Sequence, residues 1–169
     1  MKQLVDMIII GVGNRMRMDD GAGTYTVELV MKQVFPEASR LPFSGSIGNK
    51  TITITEASGE GASLMELWQN AETVIIVDAV LSGVNAQPGT VYKFDALSQK
   101  IPVQFFHYST HQFGVAEAIE TARVLKELPP KMLIYGIDGQ NFQFGEGISE
   151  SVKQAAAIVS EEIVQKIIK

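Results

Sequence analysis

The carboxylate pair Asp19-Asp20, the aspartate Asp78 and the histidine His111 are the residues whose types and surroundings could do chemistry. The pair closes the stretch MIIIGVGNRMRMDDGAG (residues 7–23), in which an apolar run leads into Gly11-Val12-Gly13. Gly-x-Gly after a strand suggests a phosphate cradle, but the dinucleotide pattern needs a further glycine where Met16 stands. The Walker pattern Gly-x-x-x-x-Gly-Lys-Ser/Thr is absent as well. Two carboxylates near a helix N-terminus would also repel the anion that such a terminus attracts. Carboxylates at this place suit cation binding or proton transfer instead. Capping of the helix that begins near Gly21 accounts for one of the two aspartates and leaves the other unexplained.

Asp78 lies near the end of TVIIVDAV (residues 73–80). A carboxylate closing an apolar strand is costly to desolvate unless it has a partner or reaches a cleft. The alternative is a turn or N-cap residue before Leu81 to Asn85. In Ser109-Thr110-His111-Gln112 the Ser-x-x-Gln spacing fits a capping box. Were Ser109 the cap, His111 would lie in the first helical turn, where the dipole disfavours the imidazolium and keeps the ring neutral, as a metal ligand must be. The competing reading is a solvated surface histidine, the reading given to His107, the other histidine. Asp78, His111 and one aspartate of the pair, brought together at strand ends, would form an oxygen/nitrogen site with an open position.

The elements that must position these groups follow from periodicity. Met7–Val12, Thr51–Thr55, Thr73–Val80 and Lys131–Ile137 read as strands, the longer apolar runs buried on both faces. Thr90–Phe94, after the Pro88-Gly89 turn, reads as a further strand at an edge. Helical stripes run along Gly21–Phe35 (Val27, Val30, Met31, Val34), Gln112–Leu128 (Phe113, Ala116, Ile119, Leu125) and Val152–Ile168 (Val152, Ala156, Val159, Ile163, Ile167). Ala62–Gln69 forms a short helix, and Ser39–Lys50 reads as a serine- and glycine-rich loop. The expected fold is α/β: a single domain over residues 1–169, with a twisted, mostly parallel sheet of about five strands and helices on both faces. Ligands of such sheets bind beyond the carboxyl ends of the strands.

Composition narrows the function. A formal net charge of −5 without blocks of like charge argues against nucleic acid or an anionic membrane as main partner. The absence of cysteine removes thiolate metal sites and cysteine nucleophiles. No serine stands in Gly-x-Ser-x-Gly. No apolar run approaches the roughly 20 residues of a membrane span and no signal peptide is visible, so the expected location is the cytoplasm.

Gly11-Val12-Gly13-Asn14 with Asp19-Asp20-Gly21-Ala22-Gly23, VIIVDAV with Asp78, and Ser109-Thr110-His111-Gln112-Phe113-Gly114 together resemble the motifs of the hydrogenase maturation endopeptidases. Leu133–Ile137 and Gly147-Ile148-Ser149 extend the resemblance over most of the chain. The resemblance implies a twisted, mostly parallel sheet with helices. It also implies an endopeptidase that removes the C-terminal extension of a nickel-loaded large-subunit precursor of a nickel–iron hydrogenase. Asp20, Asp78 and His111 would be its metal-binding and catalytic trio. The nickel would be carried by the substrate and recognised rather than permanently bound, with other divalent cations as substitutes in vitro. Asp19 would be a helix cap or a spare carboxylate acting as general base. The chain departs from the family where Glu56-Ala57-Ser58-Gly59-Glu60-Gly61 replaces Gly-Gly-Thr, and where Asp138-Gly139 replaces Glu-Pro. Both segments are expected to border the cleft. Two rivals remain at this point: a nickel-recognising maturation chaperone without cleavage, and a nucleotide-binding α/β protein.

Overall fold

A computed structural model describes residues 4–83, 87–106 and 112–169. Strands β1 (Val5–Val12), β2 (Phe43–Ile47), β3 (Lys50–Ala57), β4 (Ala71–Val80), β5 (Val91–Asp95) and β6 (Lys131–Asp138) form one sheet in the order β2-β3-β1-β4-β6-β5. The inner four are parallel, while β2 and β5 are antiparallel edges. Helices α1 (Ala22–Val34), α2 (Gly61–Trp68), α3 (Val115–Val124) and α4 (Glu150–Ile168) complete the fold.

Alternation along the strands decides which helix lies where. Met7, Ile9, Ile75 and Val77 pack with α1 and α4 through Val27, Val30, Val159 and Ile163. Ile8, Ile10, Val74 and Ile76 face α2 and α3 through Leu64, Trp68, Ala116 and Ile119. The strands are apolar on both sides because both faces are covered, as expected of parallel strands. By the same alternation Asp78 falls on the α2/α3 face.

The sheet has six strands rather than about five, because part of the expected Ser39–Lys50 loop is β2. Phe43, Gly45 and Ile47 alternate with exposed Ser44 and Ser46, and Gly48 turns the chain into β3 at φ 59°. Gly45 leaves room for the Phe35 ring, which also sits 5.0 Å from that of Phe43. The third long helix is shorter than expected. It starts at Val115 rather than Gln112, with the Glu117 carboxylate accepting the N–H of Gly114. Of the expected stripe, Phe113 precedes the helix and is 37% exposed and Leu125 is 55% exposed, while Val115, Ala118 and Ala122 are buried.

Candidate functional site

The loop after β1 is built on close approach. A side chain at Gly11 would strike the carbonyl of Gly23, and one at Gly23 would strike backbone oxygens of Val12 and Val77. Gly23 therefore gives the close helix–strand packing that the dinucleotide pattern obtains from its third glycine. Gly13, at φ 137°, curls the chain against the carbonyl of Asp20, where no Cβ fits. Beyond it a 3₁₀ turn, Met18–Gly21, carries both aspartates. Neither caps α1, whose N-cap is Gly21 and takes no side-chain hydrogen bond. The cap expectation for the pair is thereby corrected.

Asp20 and Asp78 line the same cleft, of about 470 Å³, at the carboxyl ends of β1, β3 and β4. The Asp20 carboxylate accepts the N–H of Asn14 at 3.0 Å. Burial raises its pKa above the ordinary carboxylate value, against the opposing pull of that N–H and of the Arg17 charge. Asp78 is 7% exposed. Its pKa stands well above the ordinary value, first through burial and then through the negative charge of Asp20. Arg15 and Glu56 form part of the rim, and Arg15 is paired with Glu56 at 3.1 Å and Glu28 at 2.6 Å. A cation between the Asp20 and Asp78 carboxylates would favour both charged forms.

Asp19 points the other way and is fully buried. Its Oδ2 accepts the N–H groups of Gln140 and Asn141 at 2.8 and 3.0 Å and the Ser149 hydroxyl at 2.7 Å; its Oδ1 accepts the Ser149 N–H at 2.7 Å. Burial would raise the pKa, but these donors outweigh it and hold the carboxyl below its ordinary value. A carboxylate so engaged and outside the cleft is no general base, which corrects the second expectation for Asp19.

A family model described as hydrogenase maturation protease matches residues 43–166. The chain belongs to the hydrogenase maturation protease family. The hydrogenase expression/formation protein HoxM of Azotobacter vinelandii is 26% identical over 88% of this chain. The chain spans only 65% of the length of that relative. A Methanocaldococcus jannaschii protein, provisionally named a hydrogenase maturation protease, is 27% identical and covers 96% of both chains. Among solved structures, the hydrogenase maturating endopeptidase HybD from E. coli superposes with a TM-score of 0.74 at 23% identity, over 96% of this chain and 91% of that one. The [NiFe] hydrogenase maturation protease HycI from Thermococcus kodakarensis gives 0.64 at 19%, over 99% and 94%. These two likenesses show the fold.

The third residue of the expected trio, His111, lies outside the described residues, as do His107 and Ser109. Phe106 and Val115, on either side of that segment, both line the cleft. Among the described residues no three His, Asp or Glu side chains are grouped to hold a metal ion. Also among the described residues, no helix is long and apolar enough to cross a membrane.

The two segments at which a departure from the family is expected behave differently. Glu56, Ala57, Ser58 and Gly59 line the cleft as expected. Glu60 turns away to cap α2, accepting the N–H groups of Ala62 and Ser63 at 2.9 Å. Asp138-Gly139 does not line the cleft, contrary to expectation. Asp138 is fully buried and accepts the N–H and hydroxyl of Ser82, which in turn accepts the Tyr92 hydroxyl. Gly139 leaves room for Phe142 and Asp19. Sequence reasoning missed the partnership of Asp19 with Ser149, a contact across the whole chain whose one local signal is Ser149 at the head of an amphipathic helix.

Proposed function

We propose that the chain is a cytoplasmic endopeptidase that removes the C-terminal extension from the nickel-loaded large-subunit precursor of a nickel–iron hydrogenase. Asp20, Asp78 and His111 hold the nickel that the substrate carries, and this makes cleavage conditional on metal insertion. One observation carries the reading. Asp20 and Asp78, distant in sequence, meet in one cleft of a hydrogenase maturation protease fold, each with a raised pKa. Carboxylates that resist ionising alone bind a divalent cation by losing their protons to solvent as it enters. An imidazole from the segment between Phe106 and Val115 would complete an oxygen/nitrogen donor set open to a fourth group. Other divalent cations satisfy the same donors in vitro. The trio recognises the metal and positions the peptide bond beside it; a metal so placed can polarise the scissile carbonyl or activate water.

The test is mass spectrometry of a large-subunit precursor incubated with the protein, with and without nickel. Loss of a C-terminal peptide only when the precursor carries nickel is expected. Nickel-dependent association without truncation would identify a maturation chaperone instead. Micromolar binding of NAD or ATP in isothermal titration would revive the nucleotide reading.

A further inference from the structure

We infer that Asp19 is a positioning residue for the cleft: its carboxylate locks the β6–α4 connection against the turn that carries Asp20, and so fixes where Asp20 points. The lock is continuous along the backbone. The Met18 N–H donates to the Gly145 carbonyl at 2.9 Å, the Gly145 N–H to Met16 at 2.7 Å, and the Asp19 N–H to Asn141 at 2.9 Å. The Asp19 side chain closes the same junction with four accepted hydrogen bonds. Between them sits Met18 at φ 49°, a left-handed conformation that a side-chain-bearing residue holds only when its surroundings impose it. The next two residues are Asp19 and Asp20. Released from residues 140–149, Met18 would relax to negative φ, and the turn would carry the Asp20 carboxylate off the Asn14 N–H. The β6–α4 connection thus serves the cleft from behind, without lining it.

The consequence for cleavage rests on the proposed function, but the geometric part does not, and one experiment separates them. Asp19→Asn turns a carboxylate oxygen into a donor facing donors. It is compared with Ile163→Ala, a buried position of α4 roughly 20 Å farther along the helix from Ser149, at a temperature where both are folded. Hydrogen exchange and the chemical shift of the Asn14 amide report the Asp20 contact directly. In Asp19→Asn this proton should move upfield and exchange roughly tenfold faster, while in Ile163→Ala it keeps the wild-type shift. In the precursor assay Asp19→Asn should lower kcat roughly tenfold or more with KM within about twofold, and Ile163→Ala should change neither. An Asn14 signal in Asp19→Asn that matches wild type overturns the inference, as does a kcat loss no larger than that of Ile163→Ala. Should Asp19→Asn fail to fold, Ser149→Ala decides. It removes one donor of the four and should shift Asn14 in the same direction by less; no shift overturns the inference. If the wild-type protein cuts no precursor, the functional reading fails while the Asn14 signal still judges the lock.

Discussion

Asp19 and Asp20 are neighbours in the chain and occupy opposite environments. Asp19 is enclosed by four donors from residues 140–149, and its carboxyl is held below its ordinary pKa. Among the described residues Asp20 meets one backbone donor, and it lies with Asp78 in the cleft, where burial raises its pKa. Burial acts in the same direction on both; the number of hydrogen-bond donors decides the outcome. A satisfied carboxylate stabilises the fold, whereas one left short of donors retains the capacity to bind something else.

The largest break in this comparison should come from Asp20→Asn. It keeps shape and removes charge, so precursor processing should fall more than roughly 100-fold, with stability within about 0.5 kcal/mol of wild type. His111→Ala should match it in processing. A precursor assay and thermal melts on both variants check this, and equal processing by Asp20→Asn would sink the ligand assignment.

Asp19→Asn should do the reverse on stability. Placing an amide donor against buried donors costs about 2–4 kcal/mol, a fall of roughly 5–15 °C in melting temperature. An unchanged melt would mean that the hydrogen-bonded lock contributes nothing.

Next is the dependence of stability on pH. The folded-state pKa of Asp19 is depressed, so its contribution is present above the unfolded value and lost as pH falls through the folded value. For Asp78 the folded pKa is raised, so the protein loses stability as pH climbs from the unfolded carboxyl value towards the folded one. Asp78→Asn should therefore melt higher than wild type at neutral pH and lose that advantage in acid. Melts across pH 3–8 test the sign; an Asp78→Asn variant less stable than wild type at neutral pH contradicts it.

The smallest effect sharpens the rim of the cleft. Glu60→Ala removes the side-chain cap of α2 and should cost about 1 kcal/mol. Because Glu60 points away from the cleft, kcat and KM should stay within about twofold. A larger loss of processing would show that the cap holds Glu56 to Gly59 in place.

Much of the fold was legible before the structure. The apolar runs of β1, β4 and β6 mark buried parallel strands because no face of them meets water, and the α4 stripe of Val152, Ala156, Val159, Ile163 and Ile167 is buried throughout. The Phe43–Ile47 alternation was too short and too rich in serine and glycine to stand out, since an edge strand is defined by the partner it pairs with. The start of α3 at Val115 rather than Gln112 depends on Glu117 reaching the Gly114 N–H, a contact that the helical stripe alone does not reveal.

The sequence by itself determined that acidic groups lie at the strand ends and that Gly11 and Gly13 sit beside carboxylates rather than a phosphate pattern. Only the tertiary structure decided which aspartate does what. Along a 3₁₀ turn successive side chains diverge by roughly 120°, so Asp19 and Asp20 must point apart. Nothing within residues 7–23 says which of them meets Ser149 and the residue 140–141 amides, because those donors arrive from the far end of the chain.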